Sequence, residues 1–238
     1  MIFEIFGSTL ELVYVWGKAT AEGKIIIVLL ALFSVFAWST MISKALQMRQ
    51  ARRLNEYFDS EYRRSEHALN IFDRRLVVDG CPLFAVYQAG SQELDGRLRA
   101  KDNSVRRKAI SLKSIEHVKR SLENAVARES LKLESGLIML ALAVSGAPFL
   151  GLLGTVWGVM SAFSYVAQAG KADLATMAPG VAAALVTTVA GLLVAIPSMF
   201  GYNWLVHNLR VRTVELDNFA QEFVSRIETE YLHDEDEA

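Results

Sequence analysis

Two stretches decide the fold: residues 136–170, GLIMLALAVSGAPFLGLLGTVWGVMSAFSYVAQAG, and residues 174–209, LATMAPGVAAALVTTVAGLLVAIPSMFGYNWLVHNL. Neither contains Asp, Glu, Lys or Arg, and only Lys171, Ala172 and Asp173 part them. As helix at about 1.5 Å per residue, each reaches about 50 Å, against a bilayer hydrocarbon core of about 30 Å. Each can cross a membrane and project beyond it. Gly, Ala, Ser and Thr run through both, a composition of helices packed closely on other helices around a polar path.

Outward from these runs, Ile25–Ser43 is a third charge-free stretch, about the minimum length for a span. The 238-residue chain is 52% hydrophobic with a mean hydropathy of +0.25, so its 21% charged residues must be segregated. They are: Lys44–Glu134 holds 19 Lys and Arg against 13 Asp and Glu. The expected fold is all-α, an integral membrane protein with three transmembrane helices, two of them long and extending into the cytoplasm. Its expected order is an interfacial amphipathic helix over 1–23, spans over 24–43, 136–168 and 176–206, a helical insert over 44–135, a turn over 169–175, and a helix with an acidic tail over 207–238.

Basic residues beside the spans set the orientation. Lys44, Arg49, Arg52 and Arg53 follow the first span and Arg210 and Arg212 the third, whereas the turn between the last two carries only Lys171. The insert and the C-terminus are expected in the cytoplasm, the N-terminus and the turn outside. The extreme N-terminus, Met-Ile-Phe-Glu, lacks the basic region of a cleaved signal peptide, and no small-residue cleavage site follows the first apolar run. Phe6, Leu10, Val13 and Gly17 at helical spacing, with Trp16, predict a helix in the outer interface. The single cysteine, Cys81, excludes an intramolecular disulfide and reads as a small buried or half-buried hydrophobe.

Apolar spacing predicts further helices over about 44–76 and in a short piece after Pro82, loosened by Gly90, then a polar turn from Gly96 to Ser104. From about Val105 the pattern predicts one continuous helix to about residue 167. Asp173 or Thr176 would cap the third span, Pro179 falls in its first turns, and Pro197 predicts a kink.

Motifs of soluble enzymes are absent. The segment from Gly151 to Gly158 lacks the Lys-Ser/Thr of a phosphate loop, and His67, His117, His207 and His233 have no metal-ligand spacing, so neither enzyme activity, a metal nor a cofactor is expected. Acids interleave with the bases of the insert, which favours a solvated surface facing lipid headgroups over a nucleic-acid site. The pairs Gly154/Gly158, Gly151/Thr155, Gly180/Ala184 and Gly191/Ala195 stand four apart, which lets helix backbones approach closely. Packing within a bundle explains most of them. It explains less well the mid-span hydroxyls of Thr155, Thr187 and Thr188, although a threonine can bond a carbonyl of its own helix. Facing inward in a ring of identical subunits, they would form a polar band across an apolar pore.

The segment Pro148–Met160 (PFLGLLGTVWGVM), then Ala178–Ala182 (APGVA), then Thr188 through Gly191–Pro197 (GLLVAIP) to Tyr202–Asn203 closely resembles the ExbB/TolQ/MotA proton-channel family. The three-span plan covers the whole chain and is similar to ExbB and TolQ rather than to four-span MotA. The resemblance implies a homopentamer in the bacterial inner membrane around a small single-span partner of TolR or ExbD type, whose membrane aspartate carries the proton. Its motion would pass to a protein of TolA or TonB type. It also places the family's two pore threonines on Thr155 and Thr188. One position departs: the family's usual glutamate falls on Ala183, so no carboxylate of this chain's own spans can carry the proton. Leu216–Phe219 (LDNF), Gln221–Phe223 and Phe33–Trp38 (FSVFAW) look more like TolQ, making Tol-Pal-type envelope maintenance and division the favoured process and TonB-dependent import the alternative. A passive scaffold is the rival of a different class; a substrate transporter is disfavoured by the lack of inverted repeats.

Overall fold

The structure, a computed structural model, describes residues 17, 20–99, 106–107, 109–170 and 174–232. The expected interfacial helix around Phe6, Leu10, Val13 and Trp16 falls outside them, as does Asp173. The described residues form helices and no strand: α1 (Ala21–Arg64), α2 (Asn70–Asp73), α3 (Pro82–Leu98), α4 (Leu112–Glu134), α5 (Leu137–Ala169) and α6 (Leu174–Tyr231). Three of these, α1, α5 and α6, are long and apolar enough to cross a membrane, with mean hydropathies of 2.5, 2.1 and 2.1 in their most apolar windows. The all-α, three-span architecture follows from the three charge-free runs.

The chain forms two compact units, one of Met1–Ser43 with Gly136–Trp204, the other of Lys44–Ser135 with Leu205–Ala238. In the apolar unit Ile26 and Leu30 of α1 bury against Ala147 of α5 and Ala195 of α6. Gly201 lies so close to Met41 that an added Cβ would overlap the thioether sulfur. Large apolar side chains elsewhere on this unit point outward, Phe36, Phe149, Leu193 and Phe200 among them. In water such a surface would aggregate, whereas in a bilayer it is an ordinary exterior.

The charged unit has a conventional buried core. Phe58 and Tyr62 of α1, Phe84 and Tyr87 of α3, and Phe219 and Phe223 of α6 form an aromatic cluster, with Tyr62–Phe219 and Tyr87–Phe223 centroids 5.0 and 5.2 Å apart. Tilted and edge-on pairs of this kind add to the stabilisation from burial alone. The Arg226 guanidinium sits 5.0 Å above the Tyr62 ring. Burial pushes the Tyr62 phenol up to about 12, against the opposing influence of Arg226.

Several local expectations are corrected by tertiary contacts. The helix expected over 44–76 stops at Arg64 because Arg226 of α6 donates to the Tyr62 and Ser65 carbonyls, satisfying acceptors that a helix end leaves open. Short α2 follows, and Arg75 then takes a left-handed φ of 53°. Gly90 does not loosen its helix: a Cβ there would lie 2.5 Å from Leu122 Cδ2 and 2.8 Å from Phe223 Cε1, so the missing side chain is what admits α4 and α6. The polar stretch from Gly96 stays helical as far as Leu98.

The continuous helix expected from Val105 to residue 167 is instead two helices. Gly136, at φ 82°, separates α4 from α5, a conformation that glycine adopts without steric cost. Conversely, α6 runs without interruption through Pro179 and Pro197 to Tyr231, so the third span and the expected C-terminal helix are one element of 58 residues. Cys81 is buried and also caps α3: its sulfur accepts the Phe84 N–H at 3.4 Å while Pro82 opens the helix.

Candidate functional site

The contact between α5 and α6 is built where side chains are smallest. A Cβ added at Gly151 would lie 2.8 Å from the Thr187 carbonyl oxygen, at Gly191 2.6 Å from the Ala147 carbonyl oxygen, and at Gly158 2.6 Å from Ala184 Cβ. At Gly154 it would overlap the Thr187 side chain; at Gly180 it would meet Ala162 Cβ at 3.3 Å. Gly151, Gly154, Gly158, Gly180, Ala184 and Gly191 are therefore consumed in packing α5 on α6 of the same chain, whereas Ala195 is buried with Ile26 and Leu30 of α1. Pro197 sits inside α6, and the next residue, Ser198, donates to the Val194 carbonyl at 2.7 Å.

Three hydroxyls lie in this seam, and two of them reach the Gly151 backbone carbonyl. Thr187 is buried, and its Oγ1 lies 2.6 Å from the Ala184 carbonyl oxygen and 3.0 Å from that of Gly151. Thr188 reaches the same Gly151 oxygen at 3.2 Å and lies 3.4 Å from the Thr155 hydroxyl. Thr155 donates to the Leu152 carbonyl at 2.7 Å, which leaves its lone pairs free to accept from Thr188. Thr155 and Thr188 are only partly buried, whereas Thr187 is enclosed. Spacing treats the three alike, and only the family resemblance set Thr155 and Thr188 apart; the fold likewise separates a partly accessible hydroxyl pair, Thr155–Thr188, from the enclosed hydroxyl of Thr187. The Gly151 carbonyl, on which two of them converge, has no side chain to signal it.

A threonine hydroxyl donates and accepts hydrogen bonds but does not ionise in the physiological range, so the pair can solvate or orient a proton carrier without being one. Ala183, buried at 4% exposure, contributes no ionisable group. Among the described residues no group of His, Cys, Asp or Glu side chains is arranged to hold a metal.

A cavity of about 340 Å³ in the charged unit is of a different kind. It is lined by charged residues of α1 and α6, including Arg52, Glu56, Arg212 and Glu215. Burial pushes the Glu215 carboxyl above its ordinary range, partly opposed by Arg212 at 2.5 Å and by Arg52. None of these four is marked as a cavity lining by the sequence, because they meet only once α1 and α6 lie side by side.

The family model described as "MotA/TolQ/ExbB proton channel family" matches residues 91–218, which include the whole α5–α6 seam. The chain is 33% identical to the Tol-Pal system protein TolQ of Haemophilus influenzae over 87% of its length and 90% of that protein's. The chain belongs to the MotA/TolQ/ExbB proton channel family. Similarity within the family extends to both branches. The biopolymer transport protein ExbB of Neisseria meningitidis serogroup A is 29% identical over 92% of this chain and 96% of its own, and the TolQ of Pseudomonas aeruginosa is 31% identical over 87% and 88%. Against the family's membrane-embedded character, the outward apolar side chains of α1, α5 and α6 are the surface such a protein needs.

Proposed function

We propose that this chain is the channel and motor subunit of a complex in the bacterial inner membrane that uses the proton motive force to energise an outer-membrane process. The observation that carries this is the Thr155–Thr188 hydroxyl pair, partly accessible within two charge-free spans. Five copies would place five such pairs around a pore, with a single-span partner of TolR or ExbD type bringing the aspartate that titrates. Because Ala183 stands where a glutamate is expected, the partner's carboxylate is the one acid in the pore. The threonine band hydrates it in one state, and exclusion of water disfavours its charge in the other. Each proton crossing the potential releases about 2.3 kcal/mol per 100 mV, enough to bias such a two-state carboxylate. The spans are oriented with the N-terminus periplasmic and the 44–135 insert and C-terminus cytoplasmic, as the flanking basic residues favour.

The load is a TolA-type protein in Tol-Pal-type envelope maintenance and division, favoured by the Leu216–Phe219 and Phe33–Trp38 segments. An ExbB-type role with a TonB-type protein is the alternative. Replacing Thr155 and Thr188 together by valine, which is nearly isosteric, tests the channel. Proton flux in liposomes holding the assembled complex should be lost while native mass spectrometry still finds the complex. Undiminished flux would route the proton elsewhere, and full function in cells without flux would make the chain a scaffold. Complementing strains that lack either system assigns the load.

A further inference from the structure

The exposed faces of the charged unit carry two unpartnered surfaces of opposite character. The first is a groove of about 580 Å³ between α4 and α6, floored by Leu122, Val126, Ala220 and Val224. Four carboxylates line it, Glu116, Glu123, Asp217 and Glu228, with Lys119 as the single basic group. None of the four has an ion-pair partner among the described residues, whereas seven other acids of this unit, from Glu56 to Glu215, are each within 3 Å of an arginine or lysine nitrogen. The second surface is a stripe on α1: Arg53, Tyr57 and Arg64, all exposed, at positions that return to one helix face. Neither arginine has an ion-pair partner among the described residues, and Tyr57 is 54% exposed.

The two surfaces match in length and in order. Ile110 donates to the Tyr231 carbonyl at 3.0 Å, so α4 runs antiparallel to α6 from that point. Glu123 therefore stands beside Asp217 at one end of the groove and Glu116 near Glu228 at the other, with the apolar floor between. Arg53 to Arg64 is eleven residues, as is Asp217 to Glu228, or about 16 Å in each helix. Within the chain α1 and α6 run parallel, Arg52 sharing the cavity with Arg212 and Glu215 while Arg63 bonds Glu222. The stripe is on a different face of α1 from those contacts and so cannot reach the groove of its own chain.

We propose that the groove receives the α1 stripe of a second copy of this chain. Arg53 meets Glu123 and Asp217, Arg64 meets Glu116 and Glu228, and Tyr57 covers the apolar floor near Ala220 and Val224. The contact is head-to-tail, because stripe and groove are different surfaces, and its repetition closes a ring when the rotation between neighbours divides a full turn. The inference rests on the oligomer proposed above and names the surface that joins its subunits.

The test uses the full chain extracted from membranes with whatever single-span partner accompanies it. Arg53→Cys and Asp217→Cys combined in one chain should give, on oxidation, a ladder of covalent oligomers, whereas either substitution alone should not. Reversing both arginines (R53E with R64E) should lower the yield of oligomer by about tenfold, since like charges then face each other. Adding D217R with E228R should restore it. An oligomer intact by native mass spectrometry, with no ladder and no response to reversal, would overturn this surface while leaving the ring standing. Loss of the single-span partner in D217R with E228R, the chain's own oligomer persisting, would give the groove to that partner and overturn the proposal. A monomeric wild-type chain would overturn both.

Discussion

Thr187 and Thr188 are neighbours with the same side chain and different surroundings, and their variants should separate. Thr187 is enclosed between the Ala184 and Gly151 carbonyls, against the bare Gly154 backbone. Thr187→Val should cost about 1–2 kcal/mol by removing a buried hydrogen-bond donor. A lowered melting temperature of the complex in nanodiscs would show it. Thr188→Val leaves Gly151 its other donor and should change that temperature little while abolishing proton flux. The opposite pattern would exchange the roles assigned to the two residues. Ala183 carries a related expectation. Its buried position gives a new carboxylate no solvent, so Ala183→Glu should lower the yield of folded protein, with a cost of about 3 kcal/mol for a charge in a span. Normal yield together with raised proton flux would mean that the pore accepts a second acid.

Among the elements, the break between α4 and α5 was illegible in the apolar pattern, because Leu131, Leu133 and Leu137 continue the spacing across Gly136. A glycine in a helical pattern is compatible with either continuation or termination; its φ of 82° shows termination. Gly136→Ala should therefore destabilise the chain by about 1 kcal/mol or more, since alanine resists that region. A gain in stability on thermal unfolding would mean the two helices can fuse. The small residues of α5 and α6 are a second element-level case. Their four-residue spacing identified close approach but not between which helices. Gly158 packs on Ala184 of its own chain, so Gly158→Leu should impair folding of the subunit, read as loss of monomer as well as of oligomer. Well-folded but unassembled monomer would return Gly158 to a contact between chains.

For the molecule as a whole, the division into an apolar and a charged unit means that the two should respond differently to pH. Tyr62 is raised to about 12 by burial, and Tyr231 to about 12 by burial and the nearby Glu230. A phenol whose folded value lies above its ordinary 10 favours the neutral form on folding. Its contribution is complete below pH 10 and is lost as pH rises toward 12. Alkaline titration should thus expose the aromatic cluster of the charged unit, followed by tyrosinate absorbance, before the helices of the apolar unit are affected. Ionisation of every tyrosine near 10 would show that the cluster is open to water.

Charge segregation alone determined that this chain has three apolar helices and an intervening charged insert, because a bilayer and water accept different side chains wherever the chain goes. The motif from Pro148 to Met160 with the one around Pro197 was likewise enough to indicate the family. Only tertiary structure decided which threonine is enclosed and which is accessible, since that depends on where α6 presses on the bare backbone of α5. Tertiary contacts also ended α1 at Arg64 and left four carboxylates without partners beside an apolar groove. An arginine 162 residues away in the sequence supplies the first of these, and the antiparallel approach of α4 and α6 supplies the second. Neither leaves a mark on local periodicity, because the groups that meet are brought together by packing rather than by spacing along the chain.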